Sequence, residues 1–284
     1  MKASTKQRLR AWANWILPPK VEEVIATGMG RFMMKGNARN RDLRDRHADE
    51  ARVFIVGTGP SLASHDIKVL RGERTIVANS FYMHPDNGHV NPDYCCIGDY
   101  RFMRDLPNNV QWFEELEEAL PDTTFFVHSD GRQLFRKYDL LKDHAVYFRN
   151  RGGAATVASR VDLDLTRPFT VGLSTVSAMS IQLAIYLGFK EIYLVGCDAN
   201  WLEDPWKGAG HFYDASEFFP EYDGGIRSEE LETEITHVLR DLESHRLLRE
   251  RAESMGVSII NASGAGWLRM YPSVVFESLF NEER

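Results

Sequence analysis

The sequence predicts an α/β fold: a Rossmann-like, mainly parallel β-sheet with helices on both faces, preceded by a helical amino-terminal arm. Short apolar segments rich in β-branched and aromatic residues alternate with helical segments along residues 51–284, as in sheets built from β–α–β units. The first such segment, 53–56, runs directly into a turn that contains Gly57, Gly59 and Pro60. A buried strand that ends in a glycine turn is typical of folds that bind ligands at the carboxyl ends of their strands.

The chain divides at about residue 50. Residues 1–50 carry eleven Lys or Arg and six Asp or Glu, whereas the whole chain of 284 residues has a net charge of −7. This asymmetry predicts a basic helical arm over 1–50, followed by a single domain over 51–284. The domain is expected to contain a flexible loop or lid near 199–225, where glycine and aromatic residues are frequent.

Apolar runs and their boundaries give the order of the elements. Strands are predicted at 53–56, 75–79, 93–98, 123–128, 145–148, 191–196 and 257–261, and helices at 111–120, 174–187 and 227–255. Residues 149–168 lack a strong period and are expected to form a loop or flap. The hydroxyl residues Ser174, Thr175 and Ser177 favour a cap at the start of the second helix, and Gly188 favours a left-handed end.

The glycine turn after the first strand is the most informative functional feature. Without a Cβ, Gly57 and Gly59 allow backbone N–H groups to approach a phosphate. The dinucleotide pattern needs a third glycine three residues later, and Leu62 stands there instead. The turn therefore indicates a nucleotide or another phosphorylated small molecule, with a plain structural turn as the alternative.

Short polar residues follow the other predicted strands and are expected at the same edge of the sheet, because the carboxyl ends of parallel strands lie together. Such residues can bind ribose hydroxyls and base edges, although each could merely cap a helix or form a turn. No Walker-type lysine is present, which disfavours a P-loop NTPase. The candidates for nucleotide or substrate binding are Gly57, Thr58, Gly59, Pro60, Ser61, Asn79, Ser80, Asp99, Ser174, Thr175, Asp198, Asn200, Asn261 and Ser263.

His211 is the candidate catalytic residue. It lies in the loop after Asp198, and a histidine with a pKa near neutrality can act as a general base. A surface histidine with no role is the alternative. Asp99, Asp198 and His211 could instead form a Mg²⁺ or Mn²⁺ site, although no further carboxylate cluster supports one in the sequence.

Composition and missing motifs disfavour several function classes. The net charge of −7 disfavours a general nucleic-acid binder. The sequence contains no GxSxG, HExxH or CxxC pattern. Two of the three cysteines, Cys95, Cys96 and Cys197, lie in apolar strand-like runs and are expected to be core residues, which suits a cytoplasmic protein. No apolar run reaches the roughly 18–20 residues that span a bilayer.

The first twenty residues place Leu9, Trp12, Trp15 and Ile16 on one helical face, among lysines and arginines. This pattern is typical of an interfacial helix, so residues 1–20 are expected to contact the inner face of the membrane peripherally. Packing of this helix on the domain or on a second subunit is the alternative. The long helix predicted at 227–255 could likewise join subunits in an oligomer.

Four segments, in chain order, resemble a known family: VFIVGTGPSL at 53–62, ANSFY at 78–82, STVSAM at 174–179 and LGFKEIYLVGCD at 187–198. Together they are similar to the bacterial family of unknown-function domain 115, also called MptE-like. They are also similar to the family 42 bacterial sialyltransferases, whose fold is a variant of the GT-A glycosyltransferase fold. The resemblance covers about residues 50–280.

The resemblance implies a nucleotide-sugar-binding domain and an inverting glycosyltransferase. Such an enzyme moves a sugar, for example a sialic acid-like one, from a CMP-activated donor to a surface-glycan or lipid-linked acceptor. The residues that fall at donor-binding positions of the sialyltransferases are Thr58, Asn79, Asp99, Thr175 and Asp198. His211 is the best counterpart of their catalytic histidine, and Asn200 stands where they have a phosphate-binding tyrosine. No cofactor is required by this reaction.

Two alternatives remain open. One is a pyrophosphokinase like the MptE enzymes, which would move diphosphate from ATP to a hydroxymethylpterin, with Mg²⁺ held by Asp99 and Asp198. The other is a non-catalytic nucleotide-binding or glycan-binding protein.

Overall fold

A seven-stranded sheet forms the centre of the computed structural model, which describes residues 38–148, 163–167, 175–200, 211–212 and 231–280. The strands are β1 (Arg52–Val56), β2 (Thr75–Ala78), β3 (Tyr94–Ile97), β4 (Thr124–His128), β5 (Ala145–Phe148), β6 (Glu191–Val195) and β7 (Ser258–Asn261). All seven predicted strands are confirmed, each to within one residue at either end. The apolar runs locate them well because parallel strands are buried on both faces.

The strands are ordered β5-β4-β3-β2-β1-β6-β7, and every neighbouring pair runs parallel. The predicted Rossmann-like α/β sheet is therefore confirmed. From β1 the chain extends the sheet outward to β5, and it then returns to place β6 on the other side of β1. This reversal makes the crevice between the carboxyl ends of β1 and β6 the topological switch point, where ligands bind in open α/β sheets. The glycine turn follows β1 at this point.

Helices cover both faces of the sheet. The α-helices are α1 (Pro107–Ala119), α2 (Arg132–Tyr138), α3 (Val176–Leu187) and α4 (Leu231–Glu253). Short 3₁₀ helices cover Ala38–Leu43, Pro60–Ser64, Ile67–Leu70, Asn79–Met83, Asn87–His89, Tyr100–Met103, Ser129–Gly131 and Phe276–Leu279. Helix α1 begins four residues before the predicted start, because the fixed φ and missing N–H of Pro107 suit a first helical turn. Within the described ranges, no helix is long and apolar enough to cross a membrane.

Alternation along each strand divides the core into two layers. Val53 and Ile55 of β1 point to the face covered by α3 and α4. Phe54 and Val56 point to the opposite face, which α1, α2 and the 3₁₀ segments cover. Helix α3 is the most deeply buried helix, since every residue from Ser177 to Leu187 is buried. Its amino terminus lies at the carboxyl edge of the sheet, because α3 precedes β6 and runs against the strand direction.

Residues 38–50, the last part of the predicted arm, pack on the domain near the end of α3. The backbone N–H groups of Asp45 and His47 donate to the carbonyl oxygens of Tyr186 and Leu187, at 3.0 and 2.8 Å. Gly188 ends α3 with a φ of 100°, which confirms the predicted left-handed cap. Residues 1–37, which include the predicted membrane-contacting segment 1–20, lie outside the described residues.

Candidate functional site

The glycine turn joins the ends of β1 and β6 closely. The N–H groups of Gly57 and Gly59 donate to the carbonyl oxygens of Val195 and Gly196, both at 2.8 Å. A Cβ on Gly59 would lie 2.6 Å from a carboxylate oxygen of Asp198, so only glycine fits this approach. The N–H groups of Gly57 and Gly59 are thus bonded within the protein, so a phosphate at this turn would need a different backbone donor.

One amide in the turn is oriented differently. Within residues 57–61, the N–H groups of Gly57, Gly59 and Ser61 are bonded, and Pro60 has no N–H. The N–H of Thr58 is the one without an acceptor among the described residues. Thr58 itself is buried, at 6% exposure. A buried amide without a partner is uncommon and indicates a ligand or water. The turn thus offers a single backbone donor at the switch point.

Asp198 supports the turn from β6. Its carboxylate accepts from the Ser61 N–H at 2.8 Å and from the Ser61 hydroxyl at 2.5 Å. The Asp198 side chain is buried, and its backbone oxygen accepts from the Trp267 N–H at 2.8 Å. Asp198 thus holds Ser61 and the 3₁₀ helix that starts at Pro60, and its contact with a ligand stays a prediction.

Thr58 and His211 bring a hydroxyl and an imidazole into contact beside the glycine turn. Their side chains approach at 3.0 Å between Thr58 Oγ1 and His211 Nδ1, and the N–H of Phe212 donates to the Thr58 carbonyl oxygen at 3.0 Å. The ring of Phe212 packs edge-on against His84, with centroids 5.3 Å apart. The segment 211–212 is therefore attached to the glycine turn, and the predicted loop histidine lies beside the predicted nucleotide turn.

Burial lowers the pKa of His211 below its ordinary value of 6.5. A hydrogen bond to the backbone of Thr58 acts in the opposite direction. Arg101 lowers the pKa further and Asp99 raises it, so both lie within electrostatic reach of the imidazole. The net effect is a neutral imidazole at pH 7, which is the form that can accept a proton.

The ends of β2 and β3 contribute Asn79 and Asp99. Asn79 has a left-handed φ of 43°, and its side-chain oxygen accepts from the Gly98 N–H at 3.3 Å. The carboxylate of Asp99 accepts from the backbone N–H of Arg101 at 2.8 Å and from its guanidinium at 2.5 Å. Both side chains thus stabilise the loops that carry them. Arg101, which the sequence reasoning did not select, adds a guanidinium to this edge.

Ser80 is directed away from the edge. Its hydroxyl accepts from the indole N–H of Trp112 at 3.1 Å, and the residue is 1% exposed. Asn261 and Ser263, after β7, also serve the backbone. Asn261 accepts from the Ser263 N–H at 2.9 Å, and the Ser263 hydroxyl accepts from the Cys197 N–H at 3.1 Å. These three residues support the loops around the switch point.

Thr175 takes the position of the helix cap of α3 but does not cap it with its side chain. The capping prediction is therefore wrong for Thr175. Its hydroxyl lies 2.6 Å from a carboxylate oxygen of Asp241 and 2.9 Å from the Ser177 hydroxyl, because α4 brings Asp241 against the start of α3. Ser174 lies outside the described residues, and Asn200 is half-buried beyond Asp198.

The sequence reasoning missed the buried polar face of α4. Asp241 and His245 are both fully buried, and Val238 and Leu248 share their helical face. The signal was present, since 238, 241, 245 and 248 are separated by three and four residues, the spacing of one helical face. Two ionisable residues inside such an apolar stripe are uncommon and require partners.

Asp99 and Asp198, the alternative metal ligands, are each bonded within the protein. Asp99 binds Arg101, and Asp198 binds Ser61. Where side chains are described, no three His, Cys, Asp or Glu residues come together as metal ligands. Among the described residues, the donor set at this edge is the Thr58 amide and hydroxyl, the imidazole of His211 and the guanidinium of Arg101.

Several solved sialyltransferase structures align with most of the chain at low similarity. CstII from Campylobacter jejuni, in complex with cytidine-5′-monophosphate, is 15% identical over 79% of this chain and 85% of that chain, with a TM-score of 0.38. A mutant of the alpha-2,3/8-sialyltransferase CstII is 16% identical over 79% and 86%, with a TM-score of 0.45. CST-II with a trisaccharide acceptor and CMP is 14% identical over 78% and 85%, with a TM-score of 0.33. At these values the alignments support no inference about this chain's substrate.

The sequence comparisons are more decisive for the family. No curated protein matches the chain significantly. A family model described as 6-hydroxymethylpterin diphosphokinase MptE-like matches residues 33–204. That match includes β1 to β6 and the whole glycine turn. Since it covers more than half of the 284 residues, the chain belongs to the MptE-like family.

Proposed function

We propose that this chain is an inverting glycosyltransferase that moves a sugar from a CMP-activated donor to the hydroxyl of a glycan or lipid-linked acceptor. The observation that carries the proposal is the contact between Thr58 and His211 at the switch point of the sheet, at 3.0 Å. It brings a proton acceptor next to a glycine turn in which the Thr58 amide has no acceptor among the described residues. This combination suits a reaction in which a hydroxyl is deprotonated beside a nucleotide.

His211 is the proposed general base. Its Nδ1 atom faces Thr58, so Nε2 is the nitrogen that would take the proton from the acceptor hydroxyl. Because burial lowers the pKa of the imidazole, the ring is neutral and ready to accept a proton near pH 7. The attacking oxygen would bond to the anomeric carbon as the bond to the phosphate oxygen breaks, and CMP would leave with that electron pair.

The described part of the proposed donor site has one unbonded backbone donor, the Thr58 N–H, and one nearby cation, Arg101. The Thr58 N–H would bind a phosphate oxygen, and the Arg101 guanidinium would offset part of its charge. Asn79 and Asn200 lie at the same edge for contacts to ribose and base. Few fixed positive charges lie at this edge among the residues that the structure describes, which suits a nucleoside monophosphate better than a triphosphate.

A nucleotide-sugar panel tests this proposal directly. The wild-type chain is expected to release CMP from one or more CMP-sugars, and His211→Ala is expected to lower turnover by about 10²–10⁴-fold. His89→Ala is the matched control, because His89 is an exposed histidine. Unchanged turnover in His211→Ala removes His211 as the base, and no activity with any CMP-sugar contradicts the glycosyltransferase itself.

A second candidate is diphosphate transfer from ATP to a hydroxymethylpterin, favoured by the description of the matching family model. This reaction requires Mg²⁺, and the described carboxylates at the edge are already bonded within the protein. Thermal stabilisation by ATP with Mg²⁺, but not by CMP or CDP, is the result expected for this candidate. Absence of stabilisation by any nucleotide would favour a non-catalytic binding protein.

We also propose that residues 1–20 bring the enzyme to a membrane-linked acceptor at the cytoplasmic face. The support is the sequence pattern of tryptophans and basic residues. Co-sedimentation of the full chain with anionic but not with zwitterionic vesicles is expected. Equal sedimentation after neutralisation of Lys2, Lys6, Arg8 and Arg10 would contradict this role.

A further inference from the structure

Four buried side chains and the half-buried Thr175 form a continuous polar cluster between α3, α4 and the segment after β7. Asp241 and His245 are 0% exposed, and Tyr271 is 2% exposed. The Thr175 hydroxyl lies 2.6 Å from a carboxylate oxygen of Asp241 and 2.9 Å from the Ser177 hydroxyl. The Ser177 hydroxyl lies 3.2 Å from His245 Nε2, and His245 Nδ1 lies 2.9 Å from the Tyr271 hydroxyl. The proposed mechanism uses none of Asp241, His245 and Tyr271.

The tautomer of His245 follows from Tyr271. The Tyr271 hydroxyl donates to the backbone carbonyl oxygen of His245 at 3.1 Å. Its single proton is used there, so its oxygen must accept in the contact with Nδ1 at 2.9 Å. His245 therefore carries a proton on Nδ1, and Nε2 faces the Ser177 hydroxyl at 3.2 Å.

The remaining contacts need one more proton than the hydroxyls can supply. Three contacts link Asp241 to Thr175, Thr175 to Ser177, and Ser177 to His245 Nε2. Thr175 and Ser177 bring one hydroxyl proton each. The third proton must therefore sit at one end of the series, either on Asp241 or on His245 Nε2.

Both arrangements keep every contact as a hydrogen bond. In the first, the carboxyl of Asp241 donates to Thr175, Thr175 donates to Ser177, and Ser177 donates to neutral His245. In the second, each of these three protons has moved to the next atom along the series. The Asp241 proton moves to the Thr175 oxygen, the Thr175 proton moves to the Ser177 oxygen, and the Ser177 proton moves to His245 Nε2. Asp241 is then an aspartate and His245 an imidazolium. The net charge is zero in both.

We propose that Asp241, Thr175, Ser177 and His245 form a buried relay that shares one proton, and that this proton resides on Asp241, leaving both ionisable groups neutral. The second oxygen of Asp241 has no hydrogen-bond partner among the described residues. A buried carboxylate with an unpartnered oxygen is costly, whereas a neutral carboxyl is much less so. The direct distance of 3.8 Å between Asp241 and His245 Nε2 is too long for a strong ion pair to offset this cost.

The electrostatic surroundings agree with the neutral arrangement. Burial raises the pKa of Asp241 and lowers the pKa of His245, and each moves toward its uncharged form. The other ionisable groups that face the cluster are Cys197, whose pKa burial raises to about 12, and Tyr271, whose pKa burial also raises. Arg249 lowers the pKa of Tyr271 but does not reverse this shift.

The relay gives Thr175 a role other than the one predicted for it. Its single proton is used within the relay in both arrangements, so Thr175 is not a ready donor to a phosphate. Asp241 is a positioning residue that fixes the direction of the Thr175 hydroxyl. The relay also keeps the start of α3 uncharged at the carboxyl edge of the sheet. These conclusions do not depend on the proposed glycosyltransferase activity.

Nitrogen NMR of His245 in the full chain tests the relay without any ligand. At pH 7 the ring is expected to be neutral with its proton on Nδ1, and His245→Gln assigns the signal. An imidazolium at pH 7 would place the proton on the histidine and overturn the neutral arrangement. A neutral ring with its proton on Nε2 would overturn the relay altogether.

Conservative variants provide the second measurement. In Asp241→Asn, the amide N–H can donate to Thr175 as the carboxyl does, so the folding equilibrium constant is expected to stay within about fivefold of wild type. Thr175→Val removes the central hydroxyl and is expected to lower that constant by about tenfold to a hundredfold, with Thr175→Ser as the rescuing control. A large loss in Asp241→Asn with no loss in Thr175→Val would contradict the proposal.

Discussion

Removing the carboxylate of Asp198 should destabilise the glycine turn strongly. This side chain is 3% exposed and accepts two hydrogen bonds from Ser61, at 2.8 and 2.5 Å. Hydrogen bonds to a charged group contribute about 1.5–3 kcal/mol each. Asp198→Ala should therefore lower the free energy of unfolding by about 3–6 kcal/mol, which is a large part of the about 5–15 kcal/mol typical of a domain.

The size of the effect should follow the number of bonds removed. Ser61→Ala loses the hydroxyl bond alone and should cost about 1.5–3 kcal/mol. Asp198→Asn retains an acceptor for the Ser61 N–H and an amide that can donate to the Ser61 hydroxyl, so it should cost about 1–2 kcal/mol. Urea denaturation, followed by circular dichroism, measures the free energy of unfolding of all three variants. Equal slopes of that free energy against urea concentration show that the unfolded state is unchanged.

Asp66 offers a matched control for this series. It accepts from the Lys68 N–H at 3.1 Å at the start of the next 3₁₀ helix, but it is exposed. Asp66→Ala should cost about 1 kcal/mol or less, as expected for a surface cap. If Asp198→Ala is no more destabilising than Asp66→Ala, the carboxylate does not hold the turn and the reasoning fails.

Three further predictions address packing, pH and thiol chemistry. Gly264 and Gly266 both have left-handed φ angles, but only a Cβ at Gly266 would meet the backbone of Asp198. In urea denaturation, Gly266→Ala should therefore lower the free energy of unfolding by at least about 2 kcal/mol more than Gly264→Ala does. Under the proposed function, kcat/KM should be constant above pH 7 and fall as the pH drops through the pKa of His211, because the base must be neutral and that pKa lies below 6.5; a fall only on the alkaline side would contradict its role. Cys96 and Cys197, whose pKa values burial raises to about 12, should resist iodoacetamide at pH 8 in the native chain and react fully in urea, and rapid native labelling would show that they are not buried.

The fold was predictable from the sequence because parallel strands are apolar on both faces. Runs such as 53–56 and 192–195 are short, apolar and followed by glycine, and these features locate a strand without any tertiary information. The strand order was not predictable in the same way. The pairing of β1 with β6, which creates the switch point, joins residues about 140 positions apart along the chain.

The site was predictable in its location but less so in the roles of its members. The sequence cannot show that the N–H groups of Gly57 and Gly59 are bonded within the protein, or that Gly59 permits the close approach of the turn to Asp198. Asp198 and Thr175 are short polar residues after apolar runs, and the sequence cannot show that Ser61 and Asp241 satisfy them. Apolar periodicity alone does not reveal the polar face of α4, because Asp241 and His245 stand at core positions of the helix.

Co-crystallisation with CMP tests the central proposal most directly, since that proposal assigns nucleotide binding to the carboxyl ends of β1 and β6. CMP is expected to bind at this switch point, with its phosphate at the Thr58 amide and His211 beside the open face of the nucleotide. CMP bound elsewhere on the chain, or ATP with Mg²⁺ bound at this edge when CMP is not, would contradict it.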